Sequence, residues 1–451
     1  MQLRGYQDRA IDALRSVMQQ GAKAPLLCLP TGGGKTVILA TIAAQAAARG
    51  RHVLILVHRR ELIHQTASKL AWAGLDHGII AAGHPASDYA VQIASVQTLV
   101  RRLSRMDWAP TLVIIDEAHH AAAGSWRQIL NHWPDAYRLG VTATPCRLDG
   151  CGLRSTFDAM VMGPSVADLI FTGYLSPARI YAPPVVADLT GVRTRAGDYA
   201  NDQAAAAMDR PTVTGDAISH YQRLAVGQQA IAFCCNVKHA VSVCDAFKTA
   251  GIAAELLLGG TQDRDQVVAD FAAHRTRVLV TVDVVSEGFD VPAASCAILL
   301  RPTQSLGLYL QQVGRVLRPA PGKDAAIILD HVGNVLRHGF PDDPRDWSLD
   351  DRMRRSKGTP APSVRTCSEC FAAFKPAPIC PVCGAQCQPI KSRKIQQIAG
   401  ELQELKRTEQ RHARRSEVGR ARTLADLLMV AKNRGYSPGW AYRIHQARGQ
   451  R

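Results

Sequence analysis

The sequence predicts an α/β protein with two parallel-sheet domains in tandem, followed by a small cysteine-rich module and a basic helical tail. Three observations carry that expectation. Short apolar runs alternate with helical stretches in two separate series. The 451 residues exceed what a single core usually organises. Five of the twelve cysteines fall at 367, 370, 380, 383 and 387, after the second series has ended.

The first series places strands at 26–29, 53–57, 79–82, 91–94 and 112–115, with helices at 37–49 and 60–73 between them. The second places strands at 230–234, 254–258, 277–281, 296–300 and 325–329, with a helix at 237–250. Residues 1–165 are therefore read as the first domain and 206–345 as the second. The intervening 166–205, richer in Pro, Gly and isolated charges, reads as a linker. A polar hinge at 346–363 leads to the cysteine module at 364–390 and a tail at 391–451.

The formal net charge is +16 with a pI near 9.5, which favours a polyanionic partner, either nucleic acid or an acidic membrane face. Residues 391–451 hold 15 Lys and Arg against 5 Asp and Glu, so +10 of that excess sits in the tail. Within it, 395–418 suits a charge-laced helix, while 424–432 has an apolar face that should dock on something. A solvated charged surface is the plain reading of the tail and an electrostatic grip on nucleic acid the functional one. No stretch approaches the roughly 20 apolar residues of a membrane span. The N-terminus lacks a signal-peptide core, so a cytoplasmic protein is expected. Cysteines 28, 146, 151, 234, 235, 244 and 296 stand in apolar or small-residue contexts and read as buried reduced thiols.

Pro30-Thr31-Gly32-Gly33-Gly34-Lys35-Thr36 follows the first apolar run. Backbone N–H groups of such a turn wrap a phosphate chain, Lys35 neutralises the outer phosphates, and the Thr36 hydroxyl suits magnesium. Leu29 stands where the usual pattern opens with glycine, so the loop alone also fits an unliganded strand-to-helix turn. Asp116-Glu117-Ala118-His119 follows Leu112-Val113-Ile114-Ile115. At a strand end, Asp116 is placed to hold the same metal and Glu117 to orient or deprotonate an attacking water. Together the two motifs predict nucleoside-triphosphate hydrolysis.

In the second series, Gln311-Gln312-Val313-Gly314-Arg315-Val316-Leu317-Arg318 sets two arginines three apart on one side of a helix, able to reach across a cleft to an outer phosphate. A basic exposed helix face is the alternative. Upstream, a strand ending at Asp283 runs into Ser286-Glu287-Gly288-Phe289-Asp290.

In this order the motifs resemble those of the superfamily 2 helicases of the DEAD/DEAH-box kind, over roughly residues 1–340. The resemblance implies two RecA-like domains with ATP and magnesium between them and a nucleic-acid strand across their tops. Leu3-Arg4-Gly5-Tyr6-Gln7 is similar to the adenine-reading segment, so Tyr6 and Gln7 join Thr31, Gly32, Gly33, Gly34, Lys35, Thr36 and Asp290 as nucleotide contacts. The motifs at 56–62 and 94–99 imply strand contacts by Arg59, Arg60 and Thr98. Val141-Thr142-Ala143-Thr144-Pro145, with His119 and Gly288, matches the elements that couple hydrolysis to movement. Gln311, Arg315 and Arg318 match the arginine-finger motif and act with Glu117 and Lys35 in catalysis. DNA, single-stranded, forked or duplex, is the expected track, and RNA the less favoured one.

Cys367-Ser368-Glu369-Cys370 and Cys380-Pro381-Val382-Cys383 form two CxxC pairs, the spacing of a structural zinc site closed by four thiolates. A redox pair or unligated thiols are the alternatives, and Cys387 stands by as a spare ligand. With Gly173-Tyr174-Leu175, Asp330-His331 and Gly435-Tyr436-Ser437-Pro438-Gly439-Trp440-Ala441, the chain looks like the bacterial RadD-type DNA repair helicases and their phage relatives. Two other outputs stay open: a double-strand DNA translocase or branch remodeller, and an ATP-gated clamp that recruits a protein partner through the zinc ribbon or tail. Trp126, Trp133 and Tyr137 read as core packing rather than base-stacking platforms.

Overall fold

The structure is a computed structural model. It describes residues 3–145, 152–182, 192–195, 198–208, 211–282, 294–350, 363–387, 421, 423–433 and 438–449. Met1–Gln388 form one compact unit and Pro389–Arg451 a second.

The first sheet has seven parallel strands: β1 (Pro25–Cys28), β2 (Val53–Val57), β3 (Gly78–Ile80), β4 (Val91–Ser95), β5 (Leu112–Asp116), β6 (Tyr137–Thr142) and β7 (Ala159–Met162). Their order is β3-β4-β2-β5-β6-β1-β7. Helices cover both faces, which is why β2, in the middle of the sheet, is apolar at every position. On β2, Val53, Ile55 and Val57 pack into one apolar cluster with Leu39 and Ile63, while Leu54 and Leu56 point into the opposite one with Leu99 and Trp126. Trp126 is buried there and Trp133 packs at its edge, as expected; Tyr137, at the start of β6, is instead 45% exposed.

The second sheet is also parallel, built from β8 (Ala178–Tyr181), β11 (Ala230–Phe233), β12 (Ala254–Leu257), β13 (Val278–Thr281), β14 (Cys296–Leu299) and β15 (Ala326–Asp330), in the order β12-β13-β11-β14-β15-β8. Between β8 and β11 lies a two-stranded hairpin, β9 (Thr194–Arg195) and β10 (Asp198–Tyr199). Within the stretch read as a linker, β8 and Asp198 belong to the second domain. Its β8 is the edge strand beside β15, and buried Asp198 accepts hydrogen bonds from Thr303 Oγ1 at 2.8 Å and Gln304 N at 2.7 Å. A strand of Ala178-Arg179-Ile180-Tyr181 at a sheet edge needs only one apolar face, so its composition resembles that of a loop.

Cysteines 28, 234, 235, 244 and 296 are buried free thiols; Cys146 and Cys151 lie outside the described residues. The cysteine module carries a small antiparallel pair, β16 (Arg365–Thr366) and β17 (Ala373–Phe374), and extends the second sheet beyond β8. Tyr181 bridges Ala372, and Ala182 N donates to Phe371 O at 2.9 Å. Phe371, with φ +62°, turns its ring toward His220 and Arg223.

In the second unit, the helix Leu424–Asn433 buries Leu427, Val430 and Ala431 together with Ala441 of the helix Pro438–Gly449. The apolar face expected to dock finds its partner in the next helix. Residues 395–418 lie outside the described residues. No helix among the described residues is long and apolar enough to cross a membrane.

Candidate active site

The phosphate loop leaves the C-terminal end of β1 and enters the helix Lys35–Ala47. Gly32 and Gly34 adopt φ +86° and +80°, conformations that favour glycine, and Gly33 N closes the turn onto Pro30 O at 3.0 Å. Leu29, the departure from the usual pattern, is fully buried beneath the loop, and a Cβ on Gly33 would come within 2.8 Å of Leu29 Cγ. Its side chain therefore supports the loop from the core and leaves the phosphate side open. Tyr6 and Gln7 brace it too: Tyr6 Oη donates to Gly33 O at 2.8 Å and Gln7 Nε2 to the same oxygen at 3.4 Å.

Across the loop, Lys35 Nζ lies 3.7 Å from Glu117 Oε1. Glu117 follows β5 with φ +48°, a strained conformation for a side-chain-bearing residue. Its amide donates to Asp116 Oδ1 at 2.9 Å. Burial, and then the adjacent Glu117 charge, raise the Asp116 carboxyl to about 6, with Lys35 pulling the other way. Two buried acids against one lysine make a donor set that fits a divalent cation, and Asp116 and Thr36 are the residues that would hold magnesium.

His119 Nδ1 stands 3.4 Å from Glu117 Oε2 and 3.2 Å from Thr142 Oγ1. Buried Thr142 donates to Thr144 O at 3.0 Å, and Thr144 Oγ1 would lie 3.1 Å from a Cβ on Gly307. A polar path thus runs from Lys35 through Glu117, His119 and Thr142 to Thr144, which packs against Gly307 of the helix Leu306–Gly314 in the second domain, with Ala143 buried beside it. Sequence reasoning passed over two neighbours, His58 and His120, whose rings lie 4.5 Å apart, with His120 4.1 Å from His119. The signal for His120 was the repeated histidine in the Asp-Glu-Ala-His-His run, and that for His58 its place in the motif at 56–62.

The helix Leu306–Gly314 carries buried Gln311 and ends one residue before Arg315. The two arginines therefore occupy the helix end and the turn after it, rather than one helical face, because the helix ends at Gly314 with Arg315, still in helical geometry, as its C-cap. That turn presses on the phosphate loop. A Cβ on Gly314 would meet Thr31 Cβ at 2.5 Å, and one on Gly32 would meet Arg318 Cγ at 3.6 Å. Burial lowers the Arg318 guanidinium from its ordinary value, and Arg315 is buried beside it. Asp283, Gly288 and Asp290 lie outside the described residues.

At the C-terminal ends of the paired strands β2 and β4, Gln97 Nε2 donates to His58 O at 2.9 Å, and Arg59 Nε donates to His58 Nε2 at 3.3 Å. This brings Arg59 and Thr98 to one edge of the sheet; the Arg60 side chain lies outside the described residues.

The ligating atoms of Cys367, Cys370, Cys380 and Cys383 all lie within 4.8 Å of one another. The Cys367–Cys383 and Cys370–Cys380 sulfurs are each 3.7 Å apart, close to the roughly 3.8 Å that tetrahedral Zn–S bonds of about 2.3 Å impose. Four soft sulfurs at that spacing fit zinc. Cys387 stands outside the group, its thiol against Ala385 O at 3.7 Å. Asp330 and His331 serve the fold: Asp330 Oδ2 accepts from Val335 N at 2.7 Å, and half-buried His331 stacks on His220.

A phosphate loop in one parallel sheet, closed by an arginine turn from a second, defines a two-domain nucleoside-triphosphate hydrolase. Residues 1–147 match the family model of the type III restriction enzyme res subunit, and residues 216–320 that of the helicase conserved C-terminal domain. A 51.5 kDa protein of a Lactococcus phage is 36% identical over 79% of this chain and 76% of its own. IRC3 of Saccharomyces cerevisiae, assigned as an ATP-dependent helicase, is 32% identical over 73% of this chain, which spans only 51% of it. The DNA 3'-5' translocase XPB2 of Sulfurisphaera tokodaii is 24% identical over 73% of this chain and 81% of its own. Among solved structures, a fragment assigned to the HsdR subunit of a Vibrio vulnificus type I restriction enzyme aligns with TM-score 0.60 and 22% identity, over 75% of this chain and 66% of that one. The chain belongs to the superfamily 2 helicases, ATP-dependent nucleic-acid motors built from two RecA-like domains.

Proposed function

We propose that this protein is a DNA helicase of repair or recombination, related to the RadD type, that couples ATP hydrolysis to movement along a strand. The observation that carries the motor reading is the seating of the Gly314–Arg318 turn on Thr31 and Gly32, which puts arginines of one domain at the phosphate loop of the other. In this reading Glu117 orients the attacking water, and Lys35, Arg315 and Arg318 meet the charge that builds on the transferred phosphoryl group. Magnesium, when held by Thr36 and Asp116, neutralises the phosphate oxygens. Gln7 and Tyr6 brace the loop, and Gln311 supports the finger helix. Loss of the outer phosphate releases the arginines, and the path through His119, Thr142, Ala143 and Thr144 carries that change to the second domain. Arg59, Arg60 and Thr98 hold the strand through its backbone, so movement is largely independent of sequence. Four zinc-bound thiolates rigidify the ribbon as an extension of the second domain.

DNA as the track is supported by the XPB2 relative and by the DNA-bound restriction-modification enzyme LlaBIII, whose fold aligns with TM-score 0.52. Those same neighbours favour a second reading, a duplex translocase that separates few base pairs. Steady-state ATPase with single-stranded, duplex and forked DNA and with RNA, using Lys35→Ala as the blank, tests the proposal. Stimulation by DNA over RNA is expected. Strand-displacement against triplex-displacement assays then separates unwinding from duplex tracking, and flat activity with all four ligands sinks the motor reading.

A further inference from the structure

Past the end of the helix Leu306–Gly314, the carbonyls of Val316, Leu317 and Arg318 have no further helical turn to donate to them. Each is met from elsewhere. Ser176 N donates to Leu317 O at 2.7 Å. Lys323 Nζ donates to the carbonyls on either side, to Val316 O at 2.5 Å and to Arg318 O at 2.6 Å, and also to Ala294 O at 3.1 Å, just ahead of β14. One ammonium thus fastens the arginine turn at two points and ties it to the second sheet.

Local sequence delivers the lysine there. In Ala320-Pro321-Gly322-Lys323, Gly322 takes φ +73° and Lys323 N donates to Ala320 O at 3.1 Å, a tight turn with proline and glycine at its two central positions. The chain reverses, and the half-buried side chain reaches back to the residues five and seven places earlier. An ammonium has three N–H groups and Lys323 meets three carbonyls, so each donor is matched by an acceptor within the fold.

We infer that Lys323 is a positioning residue for hydrolysis: by holding the carbonyls of Val316 and Arg318, it keeps Arg315 and Arg318 seated against Thr31 and Gly32 of the phosphate loop. The inference rests on reading the two arginines as fingers. Burial, and then the Arg318 charge, lower Lys323 from 10.5 to about 8. Besides Arg318 on the turn itself, Arg179 of β8, His274 and Asp324 are the ionisable groups that border the same cavity as Lys323. A neutral amine keeps only two N–H groups for three carbonyls, so loss of the proton leaves one of them unpaired. The turn then loosens, and hydrolysis falls as pH rises through about 8. Nucleotide stays on the phosphate loop, so the loss falls on kcat rather than on affinity.

The test uses the full zinc-loaded chain at saturating DNA and follows kcat and KM for ATP from about pH 7 to about pH 9.5, beside equilibrium binding of a non-hydrolysable ATP analogue. In the parent, kcat should fall at least about tenfold over that range with KM within about twofold. Lys323→Met, which fills the space without a donor, should start at least about tenfold lower in kcat, bind the analogue within about twofold of the parent, and show no further alkaline fall. Lys323→Arg, charged throughout the range, should lose the alkaline fall too. An undiminished kcat in Lys323→Met, a loss of analogue binding in step with kcat, or the parental alkaline fall persisting in either variant overturns the inference. Lys323→Arg decides by that last criterion if Lys323→Met does not fold. Arg318→Ala keeps two failures apart: an unchanged kcat there defeats the arginine-finger reading, whereas a fall in Arg318→Ala with none in Lys323→Met defeats only the role of Lys323.

Discussion

Leu349, which follows both sheets in the chain, is held by Leu153 of the first domain: Leu153 N donates to Leu349 O at 2.7 Å, and Arg154 N donates to the same oxygen at 3.0 Å. The Leu349 side chain is buried in the apolar cluster that contains Leu26, Leu54 and Phe157. Four residues earlier, Arg345 Nη2 donates to Phe340 O at 2.7 Å in the second domain. Residues 340–350 thus strap one RecA-like domain to the other. Leu349→Ala should lower unfolding free energy by about 2–5 kcal/mol, the range for truncating a buried leucine, measured by denaturant unfolding. Arg154→Ala, which breaks the exposed pair with Asp350 and a long, exposed hydrogen bond to Asp158 O, should leave the midpoint nearly unchanged.

Glu117→Gln keeps the shape of the site and removes the base. Hydrolysis should fall by about 10²–10⁴-fold while nucleotide binding persists, checked by single-turnover kinetics beside equilibrium binding. Full biological function in that variant would support the clamp alternative.

Gly314→Ala places a methyl 2.5 Å from Thr31 Cβ. The finger turn must then back away from the phosphate loop, and kcat should drop about 10²-fold, as for a displacement of roughly 1 Å at a catalytic group. Nucleotide affinity measured without DNA should change far less.

The Asp116 carboxyl is raised from 3.8 in a free chain to about 6 by burial, then by Glu117, against the pull of Lys35 and His58. The native state therefore binds this proton more tightly than the unfolded chain. Without magnesium, stability should fall as pH rises from about 4 to about 6, and saturating magnesium should remove that loss by favouring the ionised form. Melting temperatures across that range, with and without magnesium, check the sign. Activity should fall on the acid side, where Asp116 takes up its proton.

Cys380→Ser removes one of four thiolates. The variant should lose its zinc by elemental analysis, and the ribbon should loosen from the second sheet, making the backbone at Phe371 and Ala372 faster to exchange hydrogen.

Much of the architecture was legible because local chemistry and final structure agree. Val53–Val57 is apolar at every position, and a run so short with helices on both sides has few alternatives to a buried parallel strand. Gly32 and Gly34 occupy backbone conformations that glycine favours. Cys367, Cys370, Cys380 and Cys383 converge because two CxxC turns bring four sulfurs within reach of one ion. Strands β6 to β8 were harder to see. Tyr137-Arg138-Leu139-Gly140-Val141-Thr142 contains Gly140 because Leu26 and the Phe157 ring crowd its Cα, a demand made by residues far away in the chain.

By itself, the sequence determined the order of the motifs, the two α/β series and the zinc spacing, since each depends on residues within a turn or two of one another. Only the tertiary structure decided that Arg315 and Arg318 leave the helix and close on the phosphate loop, that 178–181 joins the second sheet, and that Leu349 returns to the first core. It also decided that Tyr174 stands against Arg4 and Tyr6. Those relationships join segments well over a hundred residues apart, and no local pattern encodes them. They follow from how two packed sheets present their loops to each other.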